Sequence, residues 1–355
     1  MNPQSLEDFF STFLTWHPAR IETFSELICA MIKAKTVTIK ELALNMGCSE
    51  NLGARIAKID RLLLQQEYDF TVMGQILLKL LKTQDKVRIA IDRTNWQFGK
   101  KNLNFFVAGI IKGNMSIPFC WILLDKKGNS STDERKLLIE EVLKIIPVEK
   151  IEVILADREF IGEEWLAFLN DTKEIPFAIR VKKSEHILDE KGRKIKLQDY
   201  FFGMKNREFR TVTTRIYKTP IHITCLHMEK EQLFLASNVF VGEEALRAYK
   251  QRWSIERSFR SLKTSGFNIE DTHITDQKKL AKLFTTASLA LAICVIAGEI
   301  KNQIKPIKIK KHGRALYSCF TYGFDLLKDY FCNPGNQRLL YLVGLLQNYI
   351  FEVFK

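Results

Sequence analysis

An α/β protein built on a mixed sheet, with a β-rich insertion and helical regions before and after it, is what this sequence predicts. Three observations lead there. Apolar residues make up 46% of the 355, enough for a sizeable core rather than a disordered chain. Near Lys86 the apolar spacing changes from a helical period to continuous runs that read as strands. Past that point the order is three hairpin-connected strands, helix, strand, helix, strand, which requires antiparallel and parallel pairing with helices on the faces.

The first 82 residues read as helical. Within them, 36–63 holds a short amphipathic helix over Ile39–Asn45, a turn at Met46-Gly47-Cys48, and a second helix for which Ser49 is the expected N-cap. Leu52, Ile56 and Ile59 fall on its inner face. Ala43, four residues before Gly47, is small enough for two helices to cross closely. This is a helix-turn-helix pattern, and a plain helical hairpin has the same one. In a DNA-binding version the start of the second helix, with Glu50, Asn51 and Arg55, faces the major groove.

From 83 to 183 the strands are Val87–Asp92, Asn104–Ile111, Ile117–Leu124, Ile151–Asp157 and Phe177–Val181. Helices fall over Asp133–Ile146, opened by Ser130-Ser131-Thr132, and over Glu163–Leu169. Residues 184–242 carry short strand-like pieces, Arg210–Tyr217 and Ile221–Met228, and read as the insertion. Residues 243–300 hold one long helix from Gly242 to about Lys263 and another through Leu283–Ile300. That last stretch is about one membrane span long. It contains Thr285, Thr286, Ser288 and Glu299 and follows a charged segment, so a buried helix of a soluble core is expected. Residues 301–355 give a basic loop and terminal helices.

Lys and Arg total 54 against 41 Asp and Glu, a net charge of +13, which favours an anionic partner, nucleic acid first. Charge alone fits a merely basic soluble protein equally well. Seven cysteines, scattered and without a C-x-x-C pair, fit a reducing cytoplasm. The start, MNPQSLEDFF, shows no basic segment followed by an apolar one, so no signal peptide is expected.

The chemistry begins with two carboxylates. Asp92 and Asp157 each close a buried apolar run, where a sheet stops and solvent begins. Side by side they would bind a hard divalent cation through oxygen. Singly, each could equally be a turn or cap residue. The segment YKQRWSIERSFRSLK adds Tyr249, Arg252, Glu256 and Lys263 at offsets 0, 3, 7 and 14. On one continuous helix these share a stripe about 60° wide, suited to gripping a phosphodiester near a metal. A solvated face with an Arg252–Glu256 pair explains the charges, but not Tyr249 on the stripe or Trp253 and Phe259 beside it.

The pattern Y-x₂-R-x₃-E-x₆-K, with IDRTNWQFG around Asp92, LADREFIG around Asp157 and KKHGRALYSCF downstream, resembles bacterial insertion-sequence transposases of the IS-four family, within the DDE superfamily. The resemblance covers roughly residues 86–330. It implies an RNase H-like core interrupted by a β-strand insertion. It implies that Asp92, Asp157 and Glu256 are catalytic and hold two Mg²⁺ or Mn²⁺ ions, and that Tyr249, Arg252 and Lys263 hold DNA phosphates. The activity implied is cut-and-paste transposition: strand nicking by water, hairpin formation on the flank, and attack of the freed 3′-OH on target DNA. The expected partners are double-stranded DNA, as terminal inverted repeats and as target, and a second copy of the chain on paired ends. No membrane is expected.

Relatives use a tryptophan of the insertion to receive an unstacked base. This sequence has no Trp between Trp165 and Trp253, so Phe234 is the expected substitute and Trp253 a further DNA contact. Lys308, Lys310, Lys311 and Arg314 form a basic cluster expected to touch DNA. His222, Cys225 and His227 suggest zinc by type, but His222 faces the other side of a strand from the other two. The rival readings are an RNase H-like nuclease that cannot join 3′ ends, and a DNA-binding regulator lacking a carboxylate.

Overall fold

The computed structural model describes residues 3–47, 50–83, 86–99, 101–311 and 313–352. Five helices come first: α1 (Pro3–Ser11), α2 (Pro18–Ala34), α3 (Ile39–Asn45), α4 (Leu52–Gln65) and α5 (Phe70–Leu80). Then come β1 (Val87–Phe98), β2 (Lys101–Lys112), β3 (Met115–Leu124), α6 (Thr132–Ile145), β4 (Ile151–Ala156), α7 (Glu163–Ala167) and β5 (Phe177–Val181). The insertion supplies β6 (His186–Leu188), β7 (Lys194–Lys196), α8 (Leu197–Tyr200), β8 (Phe209–Ile216), β9 (Thr219–His227) and β10 (Gln232–Ser237). The chain closes with α9 (Gly242–Lys250), α10 (Trp253–Lys263), α11 (Gln277–Ile304), α12 (Cys319–Cys332) and α13 (Gln337–Phe351).

The core is the expected mixed sheet. β1, β2 and β3 form an antiparallel meander, and β4 and β5 add to it in parallel, in the order β3-β2-β1-β4-β5. This is an RNase H-like arrangement. The insertion does not make a sheet of its own. β10 pairs antiparallel with β5, from Phe234 opposite Val181 to Ser237 opposite Ala178, and β9, β8, β6 and β7 continue outward. Sheet edges present unpaired N–H and C=O groups, and here the insertion covers the β5 edge.

α11 runs through the middle of the fold, packed against α12, α2, α13 and β3. Its apolar stretch is wholly buried, which is the core helix expected for Leu283–Ile300. α11 and α12 cross with backbones almost touching. A Cβ at Gly323 would stand 1.9 Å from the Cys294 carbonyl oxygen, and one at Gly298 would stand 1.9 Å from that of Cys319. Only glycine fits at either place. The apolar core is continuous from Leu6 and Phe9 in α1 to Ile350 in α13, so the N-terminal helices pack into the same interior as the sheet.

Three local expectations need correction. Ser49 lies outside the described residues, and the helix cap is Asn51, whose Oδ1 accepts from the Ala54 N–H at 2.9 Å. β1 does not end at Asp92. It continues to Phe98 because β2 is long enough to pair with it throughout, from Asp92 opposite Val107 to Phe98 opposite Lys101. Its far half alternates, with Thr94 and Trp96 buried and Asn95 and Gln97 exposed, so no continuous apolar run marks it. The single helix over Gly242–Lys263 is two helices. Between them, Arg252 donates to the Tyr249 carbonyl and Ser254 to that of Gln251, both at 2.9 Å. These i to i+3 bonds tighten the turn and rotate α10 relative to α9.

Candidate active site

The sheet register brings the two aspartates together. On the parallel strands β1 and β4, Ala90 is level with Leu155. Asp92 and Asp157 each stand two residues further on. Asp92 is still within β1, whereas Asp157 is the first residue past the end of β4, so the register brings the two segments that carry the carboxylates side by side. Each is oriented by its own backbone. The Arg93 N–H donates to Asp92 Oδ1 at 2.8 Å and the Arg158 N–H to Asp157 Oδ1 at 2.7 Å.

Two arginines hold the loop that carries Asp157. Arg93 grips Glu159 bidentately, Nε to Oε1 at 2.8 Å and Nη2 to Oε2 at 2.7 Å, which fastens the residue after Asp92 to the loop after Asp157. Arg135 of α6 is buried. It donates to the carbonyls of Glu159 (2.8 Å), Ser130 (3.0 Å) and Ile161 (3.2 Å) and to Ser130 Oγ (3.1 Å). Neither role was read from the sequence. Arg135 had a visible signal: it precedes Leu138, Ile139 and Val142 by three, four and seven residues, so it lies on the apolar stripe of an otherwise ordinary amphipathic helix.

α9 and α10 supply the other side. The Tyr249 hydroxyl donates to Asp157 Oδ1 at 3.4 Å. Arg252 reaches Asp92 Oδ2 with Nη1 at 3.3 Å and Glu256 Oε1 with Nη2 at 2.6 Å. Lys263, at the far end of α10, donates to the Asn95 carbonyl at 2.8 Å, pairs with Glu270 at 2.7 Å and lies over the Trp96 ring. Serines let α10 sit close to the sheet, and Ser258 Oγ accepts the Ser116 N–H at 2.9 Å in a buried contact. The straight-helix stripe was the wrong geometry, yet the tightened turn still brings Tyr249 to Asp157, Arg252 to Asp92 and Glu256 to Arg252.

The site concentrates negative charge around one buried arginine. Burial pushes the Asp92 carboxyl up to about 6; the Arg93 N–H and Arg252 pull it down, while Glu159 and Glu256 push it up. Burial works against charge on Arg252, but Tyr249, Asp157, Asp92 and Glu256 outweigh it and keep the guanidinium charged. Its Nε is buried without a partner. The carboxylates are not drawn into a closed cage: among the described residues no three His, Cys, Asp or Glu side chains stand together as a ready-made metal site. Asp92 and Glu256 meet through the Arg252 guanidinium instead. In donor chemistry the set suits a hard divalent cation, since it offers carboxylate oxygens.

The family model described as "Transposase DDE domain" matches residues 83–293, which spans the whole carboxylate-bearing region. This chain belongs to that DDE transposase family. It is therefore an enzyme that cuts and joins DNA, and the family works with divalent metal ions. No curated protein matches the chain significantly. Among solved structures, a piggyBac transposase synaptic complex with hairpin DNA is similar at 11% identity and TM-score 0.45, over 97% of this chain and 80% of that one. An endonuclease V from Bacillus subtilis is similar at 10% identity and TM-score 0.29, over 57% of this chain and 94% of that one. At those scores neither likeness bears on activity.

The remaining expected contacts of the transposase lie elsewhere or are spent. Phe234 is 1% exposed and packs on Phe201 at 5.9 Å between ring centres, so it cannot receive a base. Residue parity on β10 turns it into the sheet's interior face. Trp253 is 54% exposed with the Arg252 guanidinium 5.5 Å from its ring. Asn51 caps α4, Arg55 donates to the Met46 carbonyl at 3.2 Å, and Glu50 pairs with Lys58 at 2.7 Å. These polar groups are spent on α4 itself and on its link to Met46. Lys308, Lys310, Lys311 and Arg314 are exposed on a small hairpin closed by an Ile309–Ala315 bridge. His222 bonds Thr213 and His227 bonds the Met204 carbonyl, so both rings serve the insertion.

Proposed function

We propose that the protein performs cut-and-paste transposition of an insertion sequence, with Asp92, Asp157 and Glu256 holding two Mg²⁺ or Mn²⁺ ions. The observation that supports this most directly is the pairing of β1, which carries Asp92, with β4, whose end Asp157 directly follows, with Arg252 joining Asp92 to Glu256. When bound, such ions lower the pKa of the attacking oxygen and stabilise the leaving one. The chain's own groups position the DNA. Arg252 offers a fork that fits two phosphate oxygens. Tyr249 holds Asp157 in place with its hydroxyl. Lys263 adds a point charge beside β1. Trp253 offers an aromatic face to a base at the cleaved end. The substrates are terminal inverted repeats and target DNA, engaged by two copies of the chain on paired ends. A reducing cytoplasm suits the six free cysteines among the described residues, four of them buried.

The test is incubation of the purified protein with duplexes carrying the terminal repeats and Mg²⁺. Specific nicking at the repeat end, followed by joining of the 3′ end to a second duplex, is the expected result. Asp92→Ala, Asp157→Ala and Glu256→Ala each abolish nicking while DNA binding survives. Full nicking by any one of them refutes the site, and nicking without joining reassigns the protein as a nuclease.

A further inference from the structure

Beside the carboxylates, on the insertion side of the sheet, lies a cavity of about 640 Å³ lined by Arg158, Arg180, Lys182, Lys183 and Lys230, with Glu229 and Glu231 as its only acids. Only Arg180 is neutralised, by Glu231 at 3.3 Å. Arg158, Lys182, Lys183 and Lys230 are exposed and make no ion pair among the described residues. Four exposed cations gathered around one concavity focus positive potential there, which suits an anion. The cavity adjoins the reaction centre at two points. Arg158 directly follows Asp157, and the charge of Arg180 is felt at the Tyr249 hydroxyl.

The lining also selects the kind of anion. Of the rings in the lining, Phe234 is buried in the wall and the half-buried His227 is held by the Met204 carbonyl, so the exposed groups of the cavity are mainly its cations. Lysines in a row present point charges that suit a string of phosphates. We propose that this cavity binds the sugar–phosphate backbone of the flanking DNA, on the outer side of the bond that is cut. The assignment rests on the strand-cutting function proposed for the carboxylates and adds the path by which the flank leaves the site.

Salt dependence of binding tests it, because each phosphate contact contributes about 0.9 to the slope of log K against log salt on duplex and about 0.7 on single strands. The protein is titrated without metal against two duplexes, one ending at the terminal repeat and one continued by outside DNA. With Lys182, Lys183 and Lys230 all changed to Ala, the slope for the continued duplex becomes shallower by about 2 to 3, while the slope for the shorter one stays put. Changing the same three to Arg restores the steep slope. An unchanged slope on both duplexes overturns the anion site, and an equal loss on both overturns its assignment to the flank. Wild-type protein that binds both duplexes but cuts neither in Mg²⁺ would sink the transposase reading separately.

Discussion

Two sets of cations flank the same pair of aspartates, and they are opposite in kind. Arg93, Arg135 and Arg252 are buried or half-buried, and each directs donors to acceptors within the chain, though the Arg252 Nε stays unpaired. Lys182, Lys183 and Lys230 are exposed and have no partner among the described residues. A buried guanidinium without partners would be very costly, so it persists only where it is well supplied with acceptors, and a cation held that way acts by fixing geometry. An exposed lysine loses little when alone and gains by releasing counterions from a polyanion. The first set fixes the geometry of the site, with Arg252 also placed where the proposed phosphate would lie, and the second set is free of partners within the described residues. Sequence charge counts both alike.

That contrast can be broken by mutation. The largest effect expected is from Arg135→Ala, which orphans the Ser130, Glu159 and Ile161 carbonyls and loosens the Asp157 loop. It costs about 3 to 5 kcal/mol, at about 1–3 kcal/mol for each buried acceptor left unpaired. Urea unfolding measures this, and a loss below about 1 kcal/mol would mean the arginine is not structural. Gly323→Ala drives a methyl into the Cys294 carbonyl and costs about 3 kcal/mol. Thermal melting reads this as a drop in Tm, and an unchanged Tm would show that α11 and α12 can separate freely. Phe234→Leu, a smaller swap within the core, costs about 1 kcal/mol and leaves end processing intact. If it abolished hairpin formation at normal stability, the ring would be reaching DNA after all. Trp253→Ala and Lys182→Ala change stability by no more than about 0.5 kcal/mol. Their effects belong in gel-shift and cleavage assays, and a large stability loss from either would erase the distinction between the two sets.

The mixed sheet and the order of its core elements along the chain were readable in advance, and so was the candidate set of site residues. Val87–Ile91 and Ile151–Ala156 are apolar runs that end in acids, and such runs form interior strands whatever surrounds them. The spacing of Tyr249, Arg252 and Glu256 identified the third element even though the helix there proved to be broken. Short-range hydrogen bonds decide such breaks, and apolar periodicity does not record them. The alternating half of β1 was missed because its strand character comes from pairing with β2, not from its own composition.

What the sequence determined alone was which residues could do chemistry, since residue type fixes charge, donor number and metal preference without reference to shape. Only the tertiary structure decided which of them meet. The β1–β4 register set Asp92 beside Asp157, β10 docking on β5 gathered the lysines of distant segments into one cavity, and packing against Phe201 withdrew Phe234 from solvent. Each of these is a contact between residues far apart in the chain, and no local pattern encodes the free energy of bringing them together.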